Sequence, residues 1–198
     1  MKLKAEILKT ILTLCLVAAS VFVSQAQKFN GYIILTSGDT LYGQVKQADD
    51  LFIHTMHYQV RFFPNGEDKK VVYAIKDIKG YKAGPDQYYV QDVVHKKDTS
   101  KILLKKIISG YCSLYEHWSV NSMVMNGVGT SSAPQLTYYL QREGEPAHRY
   151  QYRRLMKGLD LYFIDNTGLT YDIKMKKYRK GDIAKIVRRY NIEHKQKL

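Results

Sequence analysis

The chain changes its hydrophobic period once, near Tyr152, and that change sets its fold class. From Gly31 to Tyr152, short runs of β-branched and aromatic residues alternate with clusters of Gly, Pro, Asn and Asp. Gly31–Leu35 and Thr40–Lys46 flank Thr36-Ser37-Gly38-Asp39, a turn sequence, and together they predict a hairpin. Gly43 inside the returning strand predicts a bulge or a sharp bend. Further strands are predicted over Phe52–Phe63, Lys70–Ile75, Gln87–Val94, Lys101–Ser109 and Tyr111–Val120, with turns at Pro64–Glu67 and Gly84–Asp86. Asp77–Tyr81 reads as a strand end running into a bend. Asn121–Pro134 carries no charge and is rich in Asn, Ser, Met, Gly and Thr; it reads as a loop. Leu136–Arg142 and Ala147–Tyr152 flank Glu143-Gly144-Glu145-Pro146 as a second hairpin.

Beyond Tyr152 the apolar residues recur at helical spacing. Leu155, Leu159, Tyr162 and Phe163 form one group, which Asn166-Thr167-Gly168 should stop. A short helix over Leu169–Tyr178 follows. A final helix from about Asp182 places Ile183, Ile186, Val187 and Tyr190 on one face, with an acidic start and basic residues later, as the helix dipole favours. The expectation is an α+β protein: an antiparallel β-rich body over 27–152, whose sheet could curl into a small barrel, and a segment of two or three helices over 153–198 packed on it. No linker or long-period repeat divides the chain.

Residues 1–26 have the layout of a secretory leader. Lys2, Lys4 and Lys9 precede an apolar run from Ile11 to Val23, and Ser24-Gln25-Ala26 supplies the small residues of a cleavage site before Gln27. The run is interrupted by Thr13 and Ser20 and is shorter than the roughly 20 apolar residues that span a bilayer. Cys15 lies within the leader without the small residues that precede a lipidated cysteine, so release is expected rather than lipid anchoring. Cys112 is then the sole thiol, which excludes an intrachain disulfide and predicts a buried side chain.

The leader's three Lys and one Glu take +2 of the chain's +13 with them, leaving +11. Such a charge favours polyanions. For an exported protein these are envelope components, such as lipid headgroups or acidic glycans, rather than nucleic acid. The densest basic run lies at Lys174–Lys180, and Lys176, Lys177, Arg188 and Arg189 are the candidate anion contacts; the competing reading is a solvated helix face. All 17 Tyr follow the leader. Tyr suits half-buried strand faces, and it also suits binding surfaces.

Catalytic chemistry finds little support. His54 and His57 are three apart in a strand-like run, which sends them to opposite faces and argues against a metal pair. Ser109, Cys112 and Ser113 lie near His117, and Tyr115-Glu116-His117-Trp118 is a dense polar-aromatic cluster, but no G-x-S-x-G elbow is present. Asp49-Asp50, Asp92 and Asp98 define no paired-carboxylate spacing. No phosphate-binding glycine loop occurs. The expectation is no catalytic residue, no cofactor and no metal.

Gly31-Tyr32-Ile33-Ile34-Leu35 followed by Ser37-Gly38-Asp39-Thr40-Leu41-Tyr42-Gly43 resembles the start of a group of uncharacterised exported proteins of Bacteroidota, an extended run and then G-D-T-x-x-G. Asp77-Ile78-Lys79-Gly80-Tyr81 is similar to the D-I-x-G-[FY] that follows it. Ile107, Ser109-Gly110 and Ser113-Leu114-Tyr115 resemble later parts of such proteins, as does the Tyr178, Asp182-Ile183, Ile186-Val187, Tyr190-Asn191 ending. The resemblance implies export to the periplasm or surface of a Gram-negative cell and carries no catalytic or binding residue. The function expected is that of a non-enzymatic binding or structural protein whose partner is an envelope protein or an anionic envelope component. The alternatives are a hydrolase acting on an envelope polymer, and glycan or lipid binding through the basic C-terminal segment.

Overall fold

The computed structural model describes residues 28–46, 59–67, 69–95, 98–124, 130–151 and 158–195. The leader, Asp49-Asp50, residues 52–58 with His54 and His57, and Leu155 lie outside them. Ten strands are described: β1 (Lys28–Leu35), β2 (Thr40–Lys46), β3 (Gln59–Pro64), β4 (Val71–Ala74), β5 (Ile78–Ala83), β6 (Asp86–His95), β7 (Asp98–Ile108), β8 (Cys112–Val124), β9 (Thr130–Arg142) and β10 (His148–Gln151). Three helices follow: α1 (Leu159–Tyr162), α2 (Thr167–Lys174) and α3 (Ile183–Lys195). The fold is α+β and β-rich.

The strands form one antiparallel sheet in the order β10-β9-β8-β7-β6-β5-β1-β2-β3-β4. The first hairpin forms as its sequence dictates. Gly38 supplies a φ of 104°, and the Leu35 amide donates to the Asp39 carbonyl at 2.8 Å. Asp77–Tyr81 is not a strand end: β5 occupies the middle of the sheet, with Tyr32 opposite Lys82 on one side and Tyr81 opposite Tyr88 on the other. The stretch 121–134 is also not simply a loop. β8 and β9 continue pairing as far as Val124 opposite Thr130, because a two-strand ladder is held by backbone groups and needs no apolar side chains. Among the described residues β10 pairs with β9 only as far as Thr137, so the described ladder at Pro134 is the one with β8, where a proline is tolerated.

Gly43 stands in regular ladder, opposite Gly31 and Pro64, and not in a bulge. A Cβ there would lie 2.1 Å from the Phe63 carbonyl oxygen, so close approach is the reason for glycine. The irregularities fall between Ile34 and Leu35 and between Lys106 and Ile108. Nor does the sheet close as a barrel: among the described residues β10 and β4 do not pair. Its second half curls instead, and the Ala147 amide donates to the Asp92 carbonyl at 3.0 Å while Val93 and Ala147 form a parallel bridge.

Three cores result. Ile33, Val45, Phe62, Tyr81 and Leu103 fill the first half of the sheet. Val93, Leu104, Tyr115, Tyr139 and Ala147 fill the curl of the second. The helices cover the reverse of β8 and β9, where Leu114 and Leu140 meet Leu159, Phe163, Leu169, Ile186, Val187 and Tyr190. Strand alternation explains the division: Leu103 and Leu104 point to opposite faces and serve different cores, as do Leu114 and Tyr115. Asn166 begins a helix rather than merely ending one. Its side chain accepts from the Leu169 amide at 3.0 Å and caps α2. The expected apolar face of α3, Ile183, Ile186, Val187 and Tyr190, is buried as a unit.

Candidate functional site

Cross-strand register places a continuous set of polar and aromatic side chains on one face of the sheet. Tyr42 on β2 is opposite Tyr32 on β1, and Tyr32 is opposite Lys82 on β5. Lys82 is opposite Gln87 on β6, two residues before Tyr89. Tyr89 is opposite Leu104, two residues before Lys106, and Lys106 is opposite Tyr115 on β8. Directly opposed residues share a face, and so do residues two apart along a strand. Five adjacent strands from β2 to β7 thus present Tyr42, Tyr32, Lys82, Gln87, Tyr89 and Lys106 across about 19 Å, four strand spacings.

The contacts on this face bear out the register. The Tyr32 and Tyr42 rings meet edge to face at 6.0 Å, and Tyr42 is 64% exposed. The Gln44 amide donates to Asn30 at 3.3 Å, and the Tyr89 hydroxyl donates to Gln87 at 3.3 Å. The Lys106 ammonium sits 4.8 Å from the Tyr89 ring centre and 5.9 Å from that of Tyr115. Gly80, opposite Tyr89, lets the two strands approach closely: a Cβ there would lie 2.4 Å from the Tyr88 carbonyl oxygen and 3.2 Å from the Tyr89 ring. Neither Lys82 nor Lys106 has a carboxylate within ion-pair distance among the described residues.

Toward β8 the face turns inward and becomes the core of the curl. A polar seam closes that end: Gln91 donates to the Tyr115 hydroxyl at 3.2 Å, Tyr115 donates to Gln141 at 3.1 Å, and Gln141 donates back to Gln91 at 2.8 Å. Burial raises the pKa of Tyr115, and burial together with the neighbouring Tyr32 raises that of Tyr89. Both phenols stay protonated, as hydrogen-bond donors, at any physiological pH.

The four basic residues singled out from the sequence divide into two kinds. Lys177 and Arg189 both pair with Asp172, at 2.6 and 2.7 Å, and Arg189 also donates to Glu193 at 2.6 Å and to the Tyr178 hydroxyl at 2.9 Å. The hydrogen bonds to Glu193, Asp172 and Tyr178 raise the Arg189 pKa further. Lys176 and Arg188 are exposed. Lys176 has a φ of 57°, at the end of the turn that closes α2.

The residues that could have suggested hydrolysis do not converge. Tyr115 and His117 lie on the curled face, with His117 edge-on to the Tyr139 ring at 6.3 Å; Glu116 lies on the reverse face, 3.6 Å from Lys105. Cys112 is fully buried, and burial pushes its thiol up to about 12, far from a reactive thiolate. Among the described residues, no group of three or more His, Cys, Asp or Glu could hold a metal ion, and no helix is long and apolar enough to cross a membrane.

Tyrosine content alone could suggest a tyrosine-lined surface, but not which tyrosines form it. That depends on β5 standing beside β1, a pairing about fifty residues apart in sequence. In comparisons with protein-family models, curated proteins and solved structures, nothing matches the chain.

Proposed function

We propose that this is an exported, non-enzymatic binding protein of the cell envelope, and that the Tyr42–Lys106 face of the sheet is its contact surface. One observation carries the reading. The face is contiguous across five strands and combines aromatic rings, amides and two lysines without carboxylate partners among the described residues. Surfaces of this composition bind by stacking and hydrogen bonding rather than by chemistry. Export rests on the leader, and a Gram-negative envelope on the resemblance of the G-D-T-x-x-G hairpin and the motifs that follow it.

Contact through the C-terminal basic segment is the second reading, supported by the exposure of Lys176 and Arg188. Cosedimentation with isolated cell envelopes tests both. A Tyr32→Ala/Tyr42→Ala double variant should lose retention while Lys176→Gln/Arg188→Gln keeps it. Wild-type retention by the tyrosine variant would remove the sheet face from the function. The periplasmic protein should begin at Gln27, as N-terminal sequencing would show.

A further inference from the structure

The sheet face, read as the contact surface proposed above, also indicates the class of ligand. The most exposed apolar side chain on this face is a phenol ring, that of Tyr42; Ile34 beside Tyr32 is half-buried, and the exposed aliphatic side chains of the five strands are Val94, on the reverse face, and Ile107, at the irregularity after Lys106. Around the rings stand groups that both donate and accept hydrogen bonds: Asn30, Gln44, Gln87 and the Tyr hydroxyls. A flat ring flanked by amides matches a pyranose, which offers an apolar C–H face and a rim of hydroxyls. The two lysines lie farther along the same face. Lys106 is held over Tyr89 by the ring's own field, and no carboxylate among the described residues neutralises either lysine. A chain of sugars lying across the strands from Tyr42 toward Lys106 would meet stacking rings first and cations after. We infer that the face binds an acidic polysaccharide, with sugar rings on Tyr32 and Tyr42 and carboxylate groups paired with Lys82 and Lys106.

A protein of this charge will also attract polyanions without any site. The test must therefore remove equal charge in two places. Affinity electrophoresis in gels containing polygalacturonate, or neutral dextran, should retard the wild-type protein in the first only. Lys82→Gln/Lys106→Gln should weaken retardation about tenfold, and Lys176→Gln/Arg188→Gln less than about twofold, since one lost charge-assisted contact already approaches a factor of ten. Tyr32→Ala/Tyr42→Ala should abolish it with an unchanged far-ultraviolet circular dichroism spectrum. Equal losses from both charge pairs would overturn the inference in favour of non-specific attraction, and equal retardation by dextran would overturn the acidic class. Binding to anionic phospholipid vesicles but not to polygalacturonate would overturn the glycan. Envelope retention separates the two levels: if the tyrosine variant loses envelopes while wild type ignores polygalacturonate, the ligand is wrong and the surface is right. If the variant keeps both, the surface is wrong.

Discussion

The Asn191 side chain pairs with the backbone of Cys112 as a strand would. Its Oδ1 accepts from the Cys112 amide at 2.8 Å, and its Nδ2 donates to the Cys112 carbonyl at 2.9 Å. The pairing occurs at the start of β8, before β7 takes over opposite Leu114. One amide on α3 therefore completes the sheet where its own ladder begins. It also fixes the axial position of the helix whose Ile186, Val187 and Tyr190 cover Leu114 and Leu140. Asn191→Ala removes both bonds and leaves a partly buried N–H and C=O unpaired, which should cost about 2 kcal/mol or more. Urea unfolding should show the loss as a lower midpoint with an unchanged slope.

Gly110 belongs to the same latch. A Cβ on it would lie 2.4 Å from Asn191 Nδ2 and 2.6 Å from Cγ, so any larger residue displaces the amide. Gly110→Ala should destabilise, and most of its effect should vanish in an Asn191→Ala background. A double-mutant cycle by urea unfolding measures this. Strict additivity of the two changes would mean that the clash does not act through Asn191.

These two residues also show what local sequence can and cannot reveal. The helical stripe of α3 and the Gly38-Asp39 turn are local patterns, and both are legible because their physics acts within a few residues. Ser109-Gly110 and Tyr190-Asn191 stand out only as fragments of a resemblance, since their shared purpose spans about eighty residues. β5 fails to stand out for a similar reason. Gly80 and the lysines beside it break the alternation that marks a strand, yet Gly80 is required by the close approach of the Tyr88 carbonyl oxygen across the ladder, 2.4 Å from where a Cβ would stand. Lys177 and Arg189 are visible as charges, but Asp172, which holds both, is placed between them only by the α2–α3 packing. The tyrosines of the candidate site are visible as composition, and only the strand order turns them into a surface.

Asn166 carries two tasks that substitution can separate. Its Oδ1 caps α2 at Leu169, and its Nδ2 donates to Glu193 on α3 at 2.6 Å. Asn166→Ala should cost about 1–2 kcal/mol, as for other helix caps. Asn166→Asp keeps the cap but sets a second carboxylate against Glu193, so it should not restore wild-type stability at pH 7. It should recover as the pH falls and the carboxylates protonate. Thermal unfolding at pH 7 and pH 4 separates the outcomes, and wild-type behaviour of the Asp variant at pH 7 would mean that Glu193 contributes nothing there.

Asp165 ties α1 to the sheet and to α3. Arg142 donates to it at 2.8 Å and also to the Tyr162 carbonyl, while the Tyr190 hydroxyl donates to its other oxygen. Burial opposes its ionisation, but the Tyr190 hydrogen bond and the Arg142 charge prevail and hold its pKa below 3.8. A depressed carboxylate pKa contributes stability that is present above the unfolded value and is lost as the pH falls through the folded one. Wild-type stability should therefore decline between about pH 5 and pH 2, and Asp165→Asn should start lower at pH 7 and decline less steeply over that window. Parallel acid limbs for the two proteins would show that Asp165 is not a source of the decline.

The thiol of Cys112 reports on the whole seam between helices and sheet. It is fully buried, and burial lifts its pKa to about 12. Folded protein should therefore resist iodoacetamide at pH 8, and urea-unfolded protein should react at once. In the native state the reaction must wait for an opening that lifts α3 from β8. Its rate under fast reclosing follows the free energy of that opening. Asn191→Ala weakens this seam directly, so a loss of about 2 kcal/mol should accelerate labelling about thirtyfold. Val60→Ala, in the core of the first half of the sheet, should change labelling only if the two halves open together. Acceleration by Val60→Ala and Asn191→Ala alike, each in proportion to its loss of global stability, would show that the thiol is reached by global unfolding, with no separate opening of the helical cover.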